Sequence, residues 1–127
     1  MIQITIVDYG SGNVLSAQKS FIKVTNDNKI EAKVLISKNL NDIKNSTHIV
    51  LPGQGAFSTC MSGLKNTPGL VEELYNFAII KQKPFLGICV GMQMLAIDSE
   101  ENGLHQGLGW IKGSFKILPD NKLKMPH

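Results

Sequence analysis

Short runs of β-branched and apolar residues recur along this chain. Each is closed by a loop and followed by a stretch of helical period. This alternation restricts the fold more than any other feature. Ile2-Gln3-Ile4-Thr5-Ile6-Val7 reads as a strand, and Asp8-Tyr9-Gly10-Ser11-Gly12-Asn13 as the loop that ends it. Val14 to Val24 carries apolar Leu15, Phe21, Ile22 and Val24 among polar residues, which predicts a helix capped by Asn13 or Ser11. Ile30 to Ile36 is a second strand, and Ser37 to Ser46 offers at most one helical turn. Thr47 to Leu51 is a third strand, stopped by Pro52-Gly53-Gln54-Gly55. Helices are expected over Ala56 to Lys65 and Leu70 to Lys81. The apolar run Pro84 to Ile88 suits a central parallel strand, and Val90 to Ile97 suits a helix. Trp110-Ile111 and Ser114 to Leu118 read as strands, joined as a hairpin through Lys112-Gly113.

Strands alternating with helices predict an α/β fold, a doubly wound and mostly parallel sheet with flanking helices. A chain of 127 residues suits one domain with one core. In such sheets the chemistry sits at the carboxyl ends of the strands. Three glycine-bearing loops fall there: Gly10 to Asn13, Gly53 to Gly55 and Gly87 to Gly91.

Charge excludes some functions. Thirteen basic and ten acidic residues are interspersed, with no block of one sign and no arginine, which argues against a nucleic-acid partner. Met1 to Val7 has no basic segment and no long apolar segment, and no apolar run approaches a membrane span. The expectation is a cytoplasmic protein with no membrane contact. Cys60 and Cys89 are too few for a disulfide scaffold, and no Cys/His set has metal-ligand spacing, so neither metal nor cofactor is expected.

The sharpest chemical signal is Gly87-Ile88-Cys89-Val90-Gly91, at the junction of an apolar strand and a helix. A nucleophile on so tight a turn needs a strained backbone, and glycines two residues to either side let strand and helix approach. The turn projects Cys89 above the sheet at a helix N-terminus, which favours the thiolate. It also aims the Val90 N–H where an oxyanion would develop. The plainer reading makes Cys89 a small buried hydrophobe. Gly53-Gln54-Gly55 lies at the same sheet edge and could supply a second donor, although Pro-Gly-x-Gly after a strand is most often only a turn. The Gly10-Ser11-Gly12 loop lacks the third glycine of a dinucleotide site, since Leu15 stands in its place. Cys60 has no elbow around it and reads as a bystander. Met61, Met92 and Met94 read as core filling, and Glu100 and Glu101 either as residues that help shape the site or as a solvated helix end.

Together these segments resemble the glutaminase subunits of imidazole glycerol phosphate synthases, which are class I glutamine amidotransferases. The likeness rests on Asp8 to Asn13, Leu51 to Phe57, Lys83 to Leu95 and Ser99-Glu100-Glu101. Gly107 to Ile111 and Met125-Pro126-His127 extend it, so it covers essentially the whole chain, 1–127. The resemblance implies that Cys89 attacks the glutamine side-chain amide and forms a thioester. It assigns the oxyanion to Val90 and to the Gly53-Gln54 turn, and glutamine binding to Gly55 and Gln93. It also implies that ammonia passes to a (β/α) barrel cyclase, with Asn13, Gly12 and their loop near that partner.

Two departures stand out. Gln54 occupies a position where the family commonly has an aliphatic residue. The family also carries a His-x-Glu pair near its C-terminus, which this sequence does not contain. Of the histidines present, His48 falls inside a strand, His105 in a polar loop, and His127 is the last residue. The expectation is therefore a partial domain with its C-terminal strands missing and negligible glutaminase activity of its own. Two other readings stay open: an amidotransferase for a different acceptor, and an inactive fragment that only docks a partner.

Overall fold

The computed structural model describes residues 1–99 and 105–115. Ile2–Val7 (β1), Ala32–Ser37 (β2), His48–Gly53 (β3) and Phe85–Cys89 (β4) form a parallel sheet in the order β2-β1-β3-β4. Val14–Asp27 (α1) connects β1 to β2, and Leu40–Asn45 (α2) connects β2 to β3. Phe57–Lys65 (α3) and Leu70–Tyr75 (α4) lie between β3 and β4, and Val90–Gln93 (α5) follows β4. A second sheet pairs Ala96–Ser99 (β5) antiparallel with His105–Gln106 (β6) and parallel with Ile111–Phe115 (β7). Because β1 leads to β2 on one side and lies beside β3 on the other, the winding reverses at β1, as the α/β expectation requires. Among the described residues no helix is long and apolar enough to cross a membrane.

The two faces of the main sheet are covered unequally. On one, Leu51, Ile49 and Val7 pack with Ile43 of α2, Phe57 and Leu64 of α3, Leu70 and Leu74 of α4 and Val90 of α5. On the other, Ile4, Ile6 and Val50 meet Val14, Ala17 and Phe21 of α1 alone. Asn13 caps α1 by accepting the Ser16 N–H on Oδ1 at 3.1 Å. The buried stripe of α1 is thus Val14, Ala17, Phe21 and Thr25, whereas Leu15, Ile22 and Val24 face outward, unlike the apolar set read from the sequence. Their helical angles place them off the sheet, and only one stripe of a single covering helix can be buried.

Other expectations are corrected. Pro84 to Ile88 suits a central strand by composition, but among the described residues β4, like β2, is an edge strand, and Leu86 is 49% exposed. Phe85 serves one core and Ile88 the other, which accounts for the run's apolar character. The helix expected to Ile97 ends at Gln93. The Met94 and Ala96 carbonyls are taken by the N–H groups of Leu108 and Gly109, at 2.7 and 3.0 Å, so the chain joins the second sheet instead. The helix from Leu70 passes into a π turn over Asn76–Ile80, closed by the Lys81 N–H on the Asn76 carbonyl. Ile111–Phe115 is one continuous strand, so Lys112-Gly113 makes no hairpin turn. Trp110 precedes that strand and sets its ring edge-on to Phe85, with centroids 5.0 Å apart. His105 opens β6 rather than lying in a loop. Met61 and Met94 are buried as expected, but Met92 is exposed. Glu100, Glu101, the end of the strand read to Leu118, and Met125 to His127 lie outside the described residues.

Candidate active site

Cys89 ends β4 with φ +54° and ψ −122°, in a region that side-chain-bearing residues rarely enter. Such strain costs about 1–3 kcal/mol and persists only where the surroundings impose it. The surroundings here are glycines from two strands and the start of α5. A side-chain carbon on Gly91 would collide with the Leu51 carbonyl oxygen. One on Gly53 would lie 2.5 Å from the Gly91 nitrogen, and one on Gly87 would lie 2.7 Å from the Met92 Cα. The end of β3, the end of β4 and the start of α5 therefore meet main chain to main chain. Cys89 is exposed, which removes the reading of it as a buried hydrophobe. With only four residues, α5 carries a smaller dipole than a long helix would.

A cleft of about 550 Å³ opens over this elbow. Ile88, Cys89 and Val90 form its floor, Pro52 to Gly55 one wall, and Asn13, Ser16, Ala17 and Ser20 of α1 the other. Of the residues picked out in the sequence, Cys89, Val90, Gly53, Gln54, Gly55 and Asn13 come together here. Gly12 sits behind the wall, where a side-chain carbon would lie 2.8 Å from Pro52 Cβ. Gln93 closes α5, half-buried and outside the lining. A second, shallower depression of about 670 Å³ between Ser37–Asn41 and Asn66–Pro68 is lined by no cysteine or histidine.

The wall is held from behind by the loop after β1. The Ser11 hydroxyl donates to the Gln54 carbonyl at 2.9 Å and accepts the Gln54 N–H at 3.3 Å. Cys60 is no bystander: its buried Sγ lies 3.0 Å from Ser11 Oγ and donates to the same carbonyl at 3.4 Å. Tyr9 donates its phenol hydrogen to the Pro52 carbonyl at 2.5 Å. Burial pushes the Tyr9 phenol above its ordinary range, and the Cys60 thiol beside it adds to the shift. In this state the Gln54 N–H is spent on Ser11 and not aimed at Cys89.

Among the described residues the lining holds no histidine and no carboxylate. His48 opens β3, five residues before Gly53 and so about 16 Å away along the strand, with its ring against Thr47 Oγ1. Sequence reasoning missed Ser16, Ala17 and Ser20. With Asn13 they follow helical spacing along one stripe of α1, which was a readable signal. It also missed the Tyr9 and Cys60 contacts, for which no local pattern exists.

Comparison with known proteins places these features in context. The family model described as the SNO glutamine amidotransferase family matches residues 12–116. The imidazole glycerol phosphate synthase subunit HisH of Rhodospirillum rubrum is 41% identical over 99% of this chain and 60% of its own length. That of Pelagibacter ubique is 43% identical over 99% and 60%. That of Zymomonas mobilis is 41% identical over 98% and 58%. The chain spans about 60% of the length of these curated relatives.

Proposed function

Since the chain belongs to the SNO glutamine amidotransferase family, we propose that it carries the nucleophile-bearing part of a glutaminase that supplies ammonia to an imidazole glycerol phosphate synthase cyclase in histidine biosynthesis. Cys89 Sγ attacks the side-chain amide carbon of glutamine. The carbonyl oxygen takes up negative charge and is met by the Val90 N–H and by a second N–H from the Gly53-Gln54 turn. Collapse expels ammonia and leaves a thioester, and water then releases glutamate. The Gly55 backbone and Gln93 help seat the glutamine. The first loop, with Asn13 exposed at the cleft mouth and Gly12 behind it, faces the (β/α) barrel cyclase that consumes the ammonia. The reaction runs in the cytoplasm.

The step that deprotonates Cys89 and protonates the leaving ammonia needs a base, and the described lining offers none. That base is contributed from outside these residues. Without such a base, glutamine hydrolysis is expected to be at least about 10⁴-fold slower. One observation carries the reading: an exposed cysteine held at positive φ on the floor of a cleft, where strand passes into helix.

The test is covalent labelling with a glutamine-like electrophile such as 6-diazo-5-oxo-norleucine. Mass spectrometry should find the adduct on Cys89, glutamine should protect it, and Cys89→Ser should abolish it. Labelling of Cys60 instead, or a rate indifferent to glutamine, would refute the assignment. Recovery of a barrel cyclase with the complete protein distinguishes this acceptor from a sugar, chorismate or purine precursor.

A further inference from the structure

We infer that Tyr9 is a positioning residue for the same reaction: its phenol fixes the peptide between Pro52 and Gly53, and through it the wall of the cleft that faces Cys89. The inference rests on the glutaminase reading and adds to it a residue that never touches substrate.

Tyr9 follows β1 by two residues and is only 5% exposed. A seat is made for it in α3. A side-chain carbon at Gly63 would lie 2.8 Å from the Tyr9 carbonyl oxygen and 3.1 Å from its ring. Any side chain there would press on the Tyr9 main chain and crowd its ring. From this seat the hydroxyl reaches the Pro52 carbonyl at 2.5 Å. A trans peptide is planar, so holding that carbonyl also holds the direction of the Gly53 N–H at its other end. Gly53 is the residue paired with Cys89 in the β3–β4 register, and a side-chain carbon on it would lie 2.5 Å from the Gly91 nitrogen. The phenol is therefore one peptide unit from the main chain that packs against the elbow. A phenylalanine would fill the same space, so the hydroxyl itself is what positions. Because burial raises its ionisation, the phenol stays a donor across the physiological range.

The decisive variant is Tyr9→Phe in the complete protein carrying this sequence. Two reactions of Cys89 are compared. Alkylation by iodoacetamide forms no oxyanion and reports only on the exposed thiol. Acylation by γ-glutamyl p-nitroanilide passes through an oxyanion and releases p-nitroaniline. The expected result is a fall of about tenfold in kcat for the acyl donor with KM unchanged, and an unchanged alkylation rate. Gly63→Ala, which crowds the ring without removing the hydroxyl, should lower the same kcat. Amide hydrogen exchange at Gly53 should quicken in Tyr9→Phe, whatever the turnover. Equal kcat values, a parallel fall in both reactions, or unaltered exchange at Gly53 would overturn the inference. A parent protein that is alkylated but never acylated would instead refute the glutaminase reading, and the exchange measurement would still decide what Tyr9 holds.

Discussion

The two rims of the main sheet are built from opposite materials. At the amino ends of the strands, side chains tie the structure together. Gln3 and Thr47 exchange hydrogen bonds between their main chains and the Thr47 hydroxyl. Gln3 Nε2 donates to the Asp42 carbonyl, Thr5 and Ser46 share a buried hydrogen bond of 2.6 Å, and Lys83 reaches the Ser46 carbonyl. At the carboxyl ends, Tyr9, Ser11 and Cys60 hold the end of β3 from behind, but beneath Cys89 the side chains withdraw. Gly53, Gly87 and Gly91 bring three main-chain segments into contact, and Cys89 sits above them in a strained conformation. One rim is knit by side-chain hydrogen bonds between strands, while the other sets an exposed sulfur over main chain packed on main chain. The strain at the upper rim is affordable because the lower rim and the α2–α5 face hold the sheet.

The contrast can be broken from either side. Gly91→Ala should have the largest effect, since its methyl would overlap the Leu51 carbonyl. A loss of about 3 kcal/mol or more in urea denaturation is expected, and a loss under 1 kcal/mol would show that the rims are not so differently packed. Ser46→Ala should cost about 2 kcal/mol by removing partners of Thr5 and Asp42, with no change in Cys89 alkylation. A change in alkylation rate would mean that the lower rim also tunes the sulfur. Tyr9 gives an alkaline signature. Its folded phenol keeps a proton that the unfolded chain loses near its ordinary pKa of about 10. Stability should be full below that pH and fall as pH rises through it, by at most about 1.4 kcal/mol per pH unit. Tyr9→Phe should flatten that slope, measured as the difference between the two denaturation profiles. Asn13→Ala should cost about 1 kcal/mol through loss of the α1 cap. It should also loosen the cleft wall that α1 provides, seen as faster exchange of the Ser16 amide.

The alternation of elements was legible because strand and helix periods are local properties of the chain. The elbow was legible for a related reason: a tight strand-to-helix turn demands particular residues at a fixed spacing around Cys89. What escaped depends on distant residues. The early end of α5 is decided by N–H groups of Leu108 and Gly109, which no period within Val90 to Ile97 reveals. The outward turn of Leu15, Ile22 and Val24 follows from α1 alone covering its face, a fact of topology. Likewise, Ser11 meets Gln54 and Cys60 across 43 and 49 positions of sequence, so the commitment of the Gln54 N–H could not be read from either loop alone.

The glycine interlock beneath Cys89 also bears on how such a protein can diversify. Where backbones touch with nothing between them, the pocket floor offers selection almost no material to vary. Variation is left to positions such as Ser16, Ser20 and Gln54 around the opening. Lineages descended from this architecture would then differ in what they admit and whom they serve, while the stage on which the sulfur stands stays the same.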